Sequence, residues 1–277
     1  MSSSSPNAAG GDQSESRSNQ LERLRTGRDV DLAKVDLTFE GFRAIAQNPH
    51  LTANERIGFP DSYRNGFEEA ILRDVSAKLP VLLGKGATIV DIGPGCAGLP
   101  HRLIDLCRER NHRLILVDSD EMLRQLPDVA NVTVKIAGAF PAIRASIQDA
   151  GGQADAIICY SVFHYVFAEG NPFDFLDSIV HLLADGGRAL IGDIPNISKR
   201  RRFFASETGR RFHKDFTRTD TEPDIRYNEP SPGKIDDAVL SGLIQRVQAA
   251  GADAYLMPQA TNLPMSNRRD DLLLIKA

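Results

Sequence analysis

Apolar positions along this chain alternate between two kinds of run. Short continuous runs bounded by turn residues read as buried strands. They are Ala87–Val90, Leu114–Val117, Val132–Ile136, Asp155–Cys159, Arg188–Asp193, Asp253–Met257 and Asp271–Ile275. Between them apolar residues recur at helical spacing. Leu99, Leu103 and Leu106 form one such stripe, and Met122, Leu123 and Leu126 a second. Phe175, Leu176, Ile179, Leu182 and Leu183 mark a helix over 173–184, stopped by Asp185-Gly186-Gly187. Val239, Leu243, Ile244 and Val247 mark another over 236–250. Ahead of the first strand, Phe67, Ala70, Ile71 and Val75 belong to a helix that Leu79-Pro80 ends. Strands alternating with helices predict an α/β fold, a doubly wound, seven-stranded, mostly parallel sheet. The last two strands are joined only by a polar turn around 262–270, so they form an antiparallel terminal hairpin.

Outside this frame the pattern weakens. Residues 1–19 are rich in Ser, Gly and Asn with almost no large apolar side chains, and read as a disordered tail. Residues 20–60 carry two weak helical stripes, Leu21 with Leu24, and Phe39, Phe42, Ile45 with Ala46. They predict a small helical appendage, used as a cover over a cleft, as a dimerisation element or simply as packing on the sheet. The domain proper is 61–277. Within it, residues 197–232 show no buried element, form a long insert, and begin strongly basic with Lys199, Arg200, Arg201, Arg202, Arg210, Arg211, His213 and Lys214, interleaved with Phe203, Phe204, Phe212 and Phe216. A mobile basic cap over a cleft is the expectation, since so many phenylalanines need a surface to cover.

The chemistry concentrates where the first strand meets its helix, at Asp91-Ile92-Gly93-Pro94-Gly95-Cys96-Ala97-Gly98. Glycines let the backbone turn sharply and let a ligand approach, and the free N–H groups of the helix start face it. The Gly-x-Gly-x-x-Gly spacing by itself also suits a dinucleotide. Asp91, two residues before the first glycine, favours a ligand with a cationic group. Asp118 ends the second strand 20 residues after Gly98, where an acid meets a ribose diol.

This first stretch resembles the first motif of class I S-adenosylmethionine-dependent methyltransferases, which have a Rossmann-like fold, and Leu116-Val117-Asp118-Ser119 resembles their second. Gly192-Asp193-Ile194-Pro195-Asn196 and the basic run after it resemble, more loosely, methyltransferases of bacterial surface-polysaccharide and natural-product pathways. The resemblance covers about 60–277. It implies strand order 3-2-1-4-5-7-6 and S-adenosylmethionine as cofactor. By resemblance the backbone at Gly93, Gly95 and Gly98 holds the amino-acid part, Asp118 and Ser119 the ribose, and Ala139 with Phe140 the adenine. Asp91 fixes the positive end, Tyr63 and Arg64 lie across the methionine end, and Tyr160 flanks the cofactor.

Methyl transfer to oxygen also calls for a base. His164, just past the fourth strand, is the leading candidate, with Tyr160, Asp193 and His213 behind it. A packed structural histidine is the competing reading of His164. Arg200, Arg201, Arg202 and His213 are candidates for an anionic acceptor such as a phosphorylated or nucleotide-linked sugar. No metal site is expected. Cys96, Cys107 and Cys159 fall inside predicted core elements and read as small buried apolar groups.

Composition leaves this picture in place. The chain has 277 residues, 42% hydrophobic and 25% charged, with a net charge of −4. That balance gives no general attraction to nucleic acid or an anionic membrane. No apolar run is long enough to span a bilayer, and the N-terminus lacks a signal-peptide pattern. The expectation is a cytoplasmic enzyme acting on a small-molecule acceptor, with a homodimer as a candidate assembly. Two rivals stand beside it, a non-catalytic cofactor-fold partner of a biosynthetic complex and a nicotinamide-dependent oxidoreductase.

Overall fold

The protein is described by a computed structural model covering residues 17–28, 30–32, 38–227, 229 and 231–277. Seven strands make one sheet: β1 (Thr88–Ile92), β2 (Arg113–Asp118), β3 (Thr133–Ala137), β4 (Ala154–Tyr160), β5 (Leu183–Pro195), β6 (Ala252–Pro258) and β7 (Arg269–Lys276). Their order is β3-β2-β1-β4-β5-β7-β6, parallel except for β7, which pairs antiparallel with both β5 and β6. The order and the antiparallel hairpin are those expected from the sequence.

Alternation along the strands explains the two cores. Val90, Ile115, Ile157, Leu272 and Leu274 face one side, where Phe175, Ile179, Leu243 and Val247 cover them. These come from α10 (Pro172–Leu182) and α13 (Asp237–Ala249). Ile89, Leu114, Leu116, Ile158 and Leu273 face the other side, under Ile71, Val75, Leu103 and Cys107. Those belong to α5 (Glu68–Lys78) and α6 (Gly98–Arg110). Side chains one residue apart on a strand point to opposite faces, so each run feeds both layers.

Several boundaries differ from the sequence reading. The helix expected over 173–184 ends at Leu182, and β5 begins at once, running through Gly186-Gly187 with a register irregularity against β4. Leu183 pairs with Ala154 and Arg188 with Ala156, so residues 184–187 bulge out of the ladder, with Gly186 at φ +78°. Two short helices not anticipated are α8 (Arg144–Gly151) and α9 (Phe163–Glu169). The expected tail lies outside the described residues as far as 16, while Arg17–Asn19 open α1 (Arg17–Thr26), whose Leu24 is buried with Ala44 and Ile45.

The insert over 197–232 is not an open loop. It contains α11 (Ile197–Ala205) and α12 (Glu207–Thr217). Asn196 caps α11 by accepting from the N–H groups of Ser198 and Lys199 at 2.9 and 3.1 Å, and Ser206 caps α12 by accepting from Gly209 at 3.1 Å. The phenylalanines pack on one another: Phe203 lies 5.7 Å from Phe212, and Phe212 stacks on Phe216 at 6.1 Å.

Candidate active site

The carboxyl ends of β1, β2, β3 and β4 open on a cavity of about 400 Å³, at the switch point where open α/β sheets bind ligands. Gly93, Gly95, Gly98, Asp118, Ala139, Phe140 and Tyr160 line it together. The opposite wall comes from the N-terminal appendage. Phe39 and Phe42 on α2 (Phe39–Ala46) line the cavity with Ile57 and Phe59, which flank the short helix α3 (Ala53–Arg56) and lead to α4 (Asp61–Arg64). Arg43 fastens α2 by a two-pronged pair with Glu121 at 2.8 and 3.0 Å, and Arg56 donates to Gln125 at 2.8 Å. The appendage therefore covers the cleft, and no described residue of the insert lines it.

Asp118 is the centre of the glycine-loop side. Its Oδ2 accepts from Gly95 N–H at 2.9 Å and its Oδ1 from Ser119 N–H at 2.7 Å. Burial pushes its pKa up to about 6, against the lowering effect of those two N–H groups. Gly95 sits at φ +66°, and a Cβ there would fall 2.5 Å from Ile57 Cγ2, so the loop and the cap fit only around glycine. Ser119 does not line the cavity; it caps the helical turn Asp120–Leu123 and fixes Asp118. Phe140 stands edge-on to Phe175 at 5.0 Å, making a rigid apolar wall.

Asp91, expected to act on the positive end through water or a neighbouring N–H, sits one layer back from the cavity. It is buried beneath the loop, outside the cavity lining, and burial together with the nearby Asp118 charge raises its pKa to about 8. At neutral pH it is mainly a neutral carboxyl, so it does not present a fixed negative charge.

Beyond β4 lies a buried polar network. Arg64 Nη2 donates to Asp193 Oδ2 at 2.9 Å and also to Ser161 Oγ, and Ser161 donates its own proton to Asp193 Oδ2 at 2.6 Å. Gln259 Nε2 donates to Asp271 Oδ1 at 3.0 Å and to Tyr160 Oη at 3.3 Å. Lys78 pairs with Asp271 at 2.7 Å and with Asp74 at 2.6 Å. Ser161 and Asp193 both have left-handed backbones, at φ +64° and +60°. Non-glycine residues there cost about 1–3 kcal/mol each and cluster at working sites. The β5–β7 register slips between Ile191 and Ile194, and this bulge aims Asp193 at Ser161 and Arg64. A Cβ on Gly192 would lie 2.4 Å from the Tyr160 ring, so this glycine makes room for the tyrosine.

The catalytic candidates separate accordingly. Tyr160 lines the cavity, but burial first, then Asp193 and Asp271, raise its pKa well above that of an ordinary phenol, so it acts as a neutral hydroxyl. Asp193 sits behind Ser161 and does not reach the cavity. His164 also fails to reach it: with α9 beginning at Phe163, Tyr165 faces the cavity instead. Burial first, then Arg269, lower the His164 pKa to about 4, and its buried Nδ1 has no hydrogen-bond partner among the described residues. A histidine so weakly basic, turned from the cavity, is not the base expected from its position. Tyr63 likewise misses the cavity, and its neighbour Arg64 lines it.

The insert's candidates face elsewhere. Arg201 donates to Glu229 O at 3.0 Å and Ser231 Oγ at 2.9 Å, and Arg202 pairs with Asp237. Arg200 lies over the Phe204 ring at 5.0 Å, and His213 packs against the same ring at 6.0 Å. Arg201 and Arg202 thus fasten the insert to itself and to α13, while Arg200 and His213 pack on its aromatic cluster. Ser161, Gln259, Ile57 and Phe59 were not singled out from sequence, whereas Phe39 and Phe42 belong to the appendage stripe for which a cover over the cleft was one expected use; the positive-φ corner after Tyr160 has no sequence signature in a serine. Among the described residues no group of three or more His, Cys, Asp or Glu is placed to hold a metal ion, and no helix is long and apolar enough to cross a membrane.

No family model and no curated protein matches the chain. Solved structures do match in fold. The plantazolicin methyltransferase BamL, in complex with a triazolic desmethylPZN analogue and SAH, superposes with a TM-score of 0.53 at 15% identity, over 86% of this chain and 96% of that one. The plantazolicin methyltransferase BpumL in complex with SAH gives 0.52 at 13% identity, over 85% and 95%. The chain thus has the fold of class I S-adenosylmethionine-dependent methyltransferases.

Proposed function

We propose that this chain transfers the methyl group of S-adenosylmethionine to a small-molecule acceptor, at an oxygen nucleophile. The observation that carries the reading is the half-buried Asp118 carboxylate, held by Gly95 and Ser119 N–H groups at the mouth of the glycine turn, with Phe140 beside it in the same cavity. Those residues fit the cofactor: a carboxylate with free lone pairs suits the ribose diol, an apolar wall suits adenine, and a glycine backbone suits the amino-acid end. When bound, the cofactor supplies an activated methyl group on a sulfonium.

The chain's own residues then bind, orient and exclude water. Phe39, Phe42, Ile57 and Phe59 cover the cavity and keep solvent from the reacting atoms. Ser161 commits its proton to Asp193, so toward the cavity its Oγ offers only a lone pair. It is suited to accept an O–H from the acceptor and to pass that proton to Asp193 Oδ2, 2.6 Å behind it. The β7 strand antiparallel between β5 and β6 favours this reading over a nicotinamide oxidoreductase, whose doubly wound sheet carries no such hairpin.

The test is label transfer from methyl-labelled S-adenosylmethionine to a panel of phenols and hydroxy acids. Label recovered as methyl ether or ester supports the proposal. Cofactor binding with no label on any member of the panel favours the non-catalytic partner and sinks the enzyme reading.

A further inference from the structure

We propose that Arg64 is the anion-reading residue of the acceptor site, and that the acceptor is an apolar molecule carrying a carboxylate. The inference rests on the methyltransferase reading for the location of the cofactor.

Arg64 is 8% exposed, and it lines the cavity. Its guanidinium lies between two aromatic rings, 4.1 Å from the Phe59 centroid and 5.5 Å from that of Tyr160. Such stacking holds the plane of the group while leaving its N–H edge for a ligand. Its Nε–H is buried and has no hydrogen-bond partner among the described residues. An orphaned donor on a buried cation is costly and marks a place where a ligand group completes the site.

Charge around it agrees. Asp193 answers two guanidiniums, Arg64 at 2.9 Å and Arg269 at 3.6 Å, while Asp271 is taken by Lys78. His164, close by, is held neutral by burial and by Arg269, with Arg64 and Lys234 acting in the same direction. Two guanidiniums therefore share the one carboxylate of Asp193. Beside Arg64 the wall is apolar, with Phe39, Phe42, Phe59 and Tyr165, and the carboxylates Glu68, Glu169 and Asp174 line other parts of the same cavity.

The cofactor's own carboxylate is the other source of such an anion, and the titration below separates the two. Arg64 reaches Ser161 after β4 and Asp193 in β5, one and two strands from β1. The glycine turn that takes the amino-acid end follows β1.

The probes are 3-phenylpropionate and its neutral amide, titrated calorimetrically into the S-adenosylhomocysteine complex. Wild type should prefer the carboxylate by roughly 10-fold or more, the scale of a charge-assisted hydrogen bond. Arg64→Met should remove that preference, and Arg64→Lys should restore only part of it. Because removing one member of a buried pair can unfold a protein, Arg64→Met combined with Asp193→Asn serves as a second variant, with melting curves for each. Absence of a carboxylate preference in wild type, or its survival in both folded variants, overturns the proposal. So does a loss of S-adenosylhomocysteine affinity in Arg64→Met without loss for 5′-methylthioadenosine, which lacks the amino-acid end, because Arg64 would then serve the cofactor. Failure of S-adenosylhomocysteine to bind wild type at all would instead refute the cofactor reading, and with it the inference.

Discussion

Asp118→Asn probes the cofactor side most sharply. The carboxylate now satisfies two N–H groups, Gly95 at 2.9 Å and Ser119 at 2.7 Å. Asparagine keeps the shape but has one acceptor oxygen, so its amide NH₂ faces one of those donors and leaves it unpaired. That costs about 1–3 kcal/mol. At the ribose, a charged acceptor becomes neutral, worth about 1 kcal/mol per hydrogen bond. Against these, the variant no longer buries a charge. Raising the pKa from 3.8 to about 6 corresponds to roughly 3 kcal/mol of folding free energy lost when the carboxyl ionises. Because the folded value is raised, the stability of this carboxyl is full below about pH 4 and falls as pH rises to about 6. The variant should therefore melt no lower than wild type at pH 7, while its S-adenosylhomocysteine affinity falls by roughly 5- to 150-fold. Calorimetry measures both ligands of interest: S-adenosylhomocysteine and 5′-methylthioadenosine share the ribose and should weaken together. Unchanged affinity for both, in a folded variant, would refute the ribose assignment.

Asp91→Asn removes a carboxyl whose folded pKa is raised to about 8, so wild-type stability from this group is lost between about pH 4 and pH 8 and the variant's is not; the melting-temperature difference should grow in the variant's favour from pH 5 to pH 8, and a flat difference would contradict the buried, neutral acid. His164→Gln should change S-adenosylhomocysteine affinity and turnover by less than about 3-fold, because the ring does not reach the cavity; a loss of roughly 10²–10⁴ in kcat would restore it as the base. Arg201→Ala with Arg202→Ala should lower stability by about 1 kcal/mol and leave cofactor affinity and acceptor KM unchanged, since both side chains bond the 229–237 stretch; a raised KM would return the insert to the acceptor site.

The parts legible in the sequence are those fixed by short-range periodicity. The apolar runs marked all the strands, and the Gly93–Gly98 turn with Asp118 located the cavity, because strand ends and a tight turn are local facts. The rest depends on contacts distant in sequence. Arg64 meets Ser161 and Asp193 across 97 and 129 residues, which no local pattern encodes. His164 follows β4 as expected, yet the start of α9 at Phe163 rotates it out of the cavity. The insert's basic and aromatic residues looked like a lid because their partners, Ser231, Asp237 and one another, were invisible from composition. Asn196 and Ser206 were readable helix caps there, and weighing them would have predicted α11 and α12.

The central claim is that the cavity under the α2–α4 cap takes S-adenosylmethionine. Direct titration of the wild-type protein with S-adenosylhomocysteine, set beside NAD, tests it. S-adenosylhomocysteine should bind one-to-one in the micromolar range, and NAD should give no heat. Saturable binding of NAD, or no binding of S-adenosylhomocysteine at millimolar concentration, would contradict it.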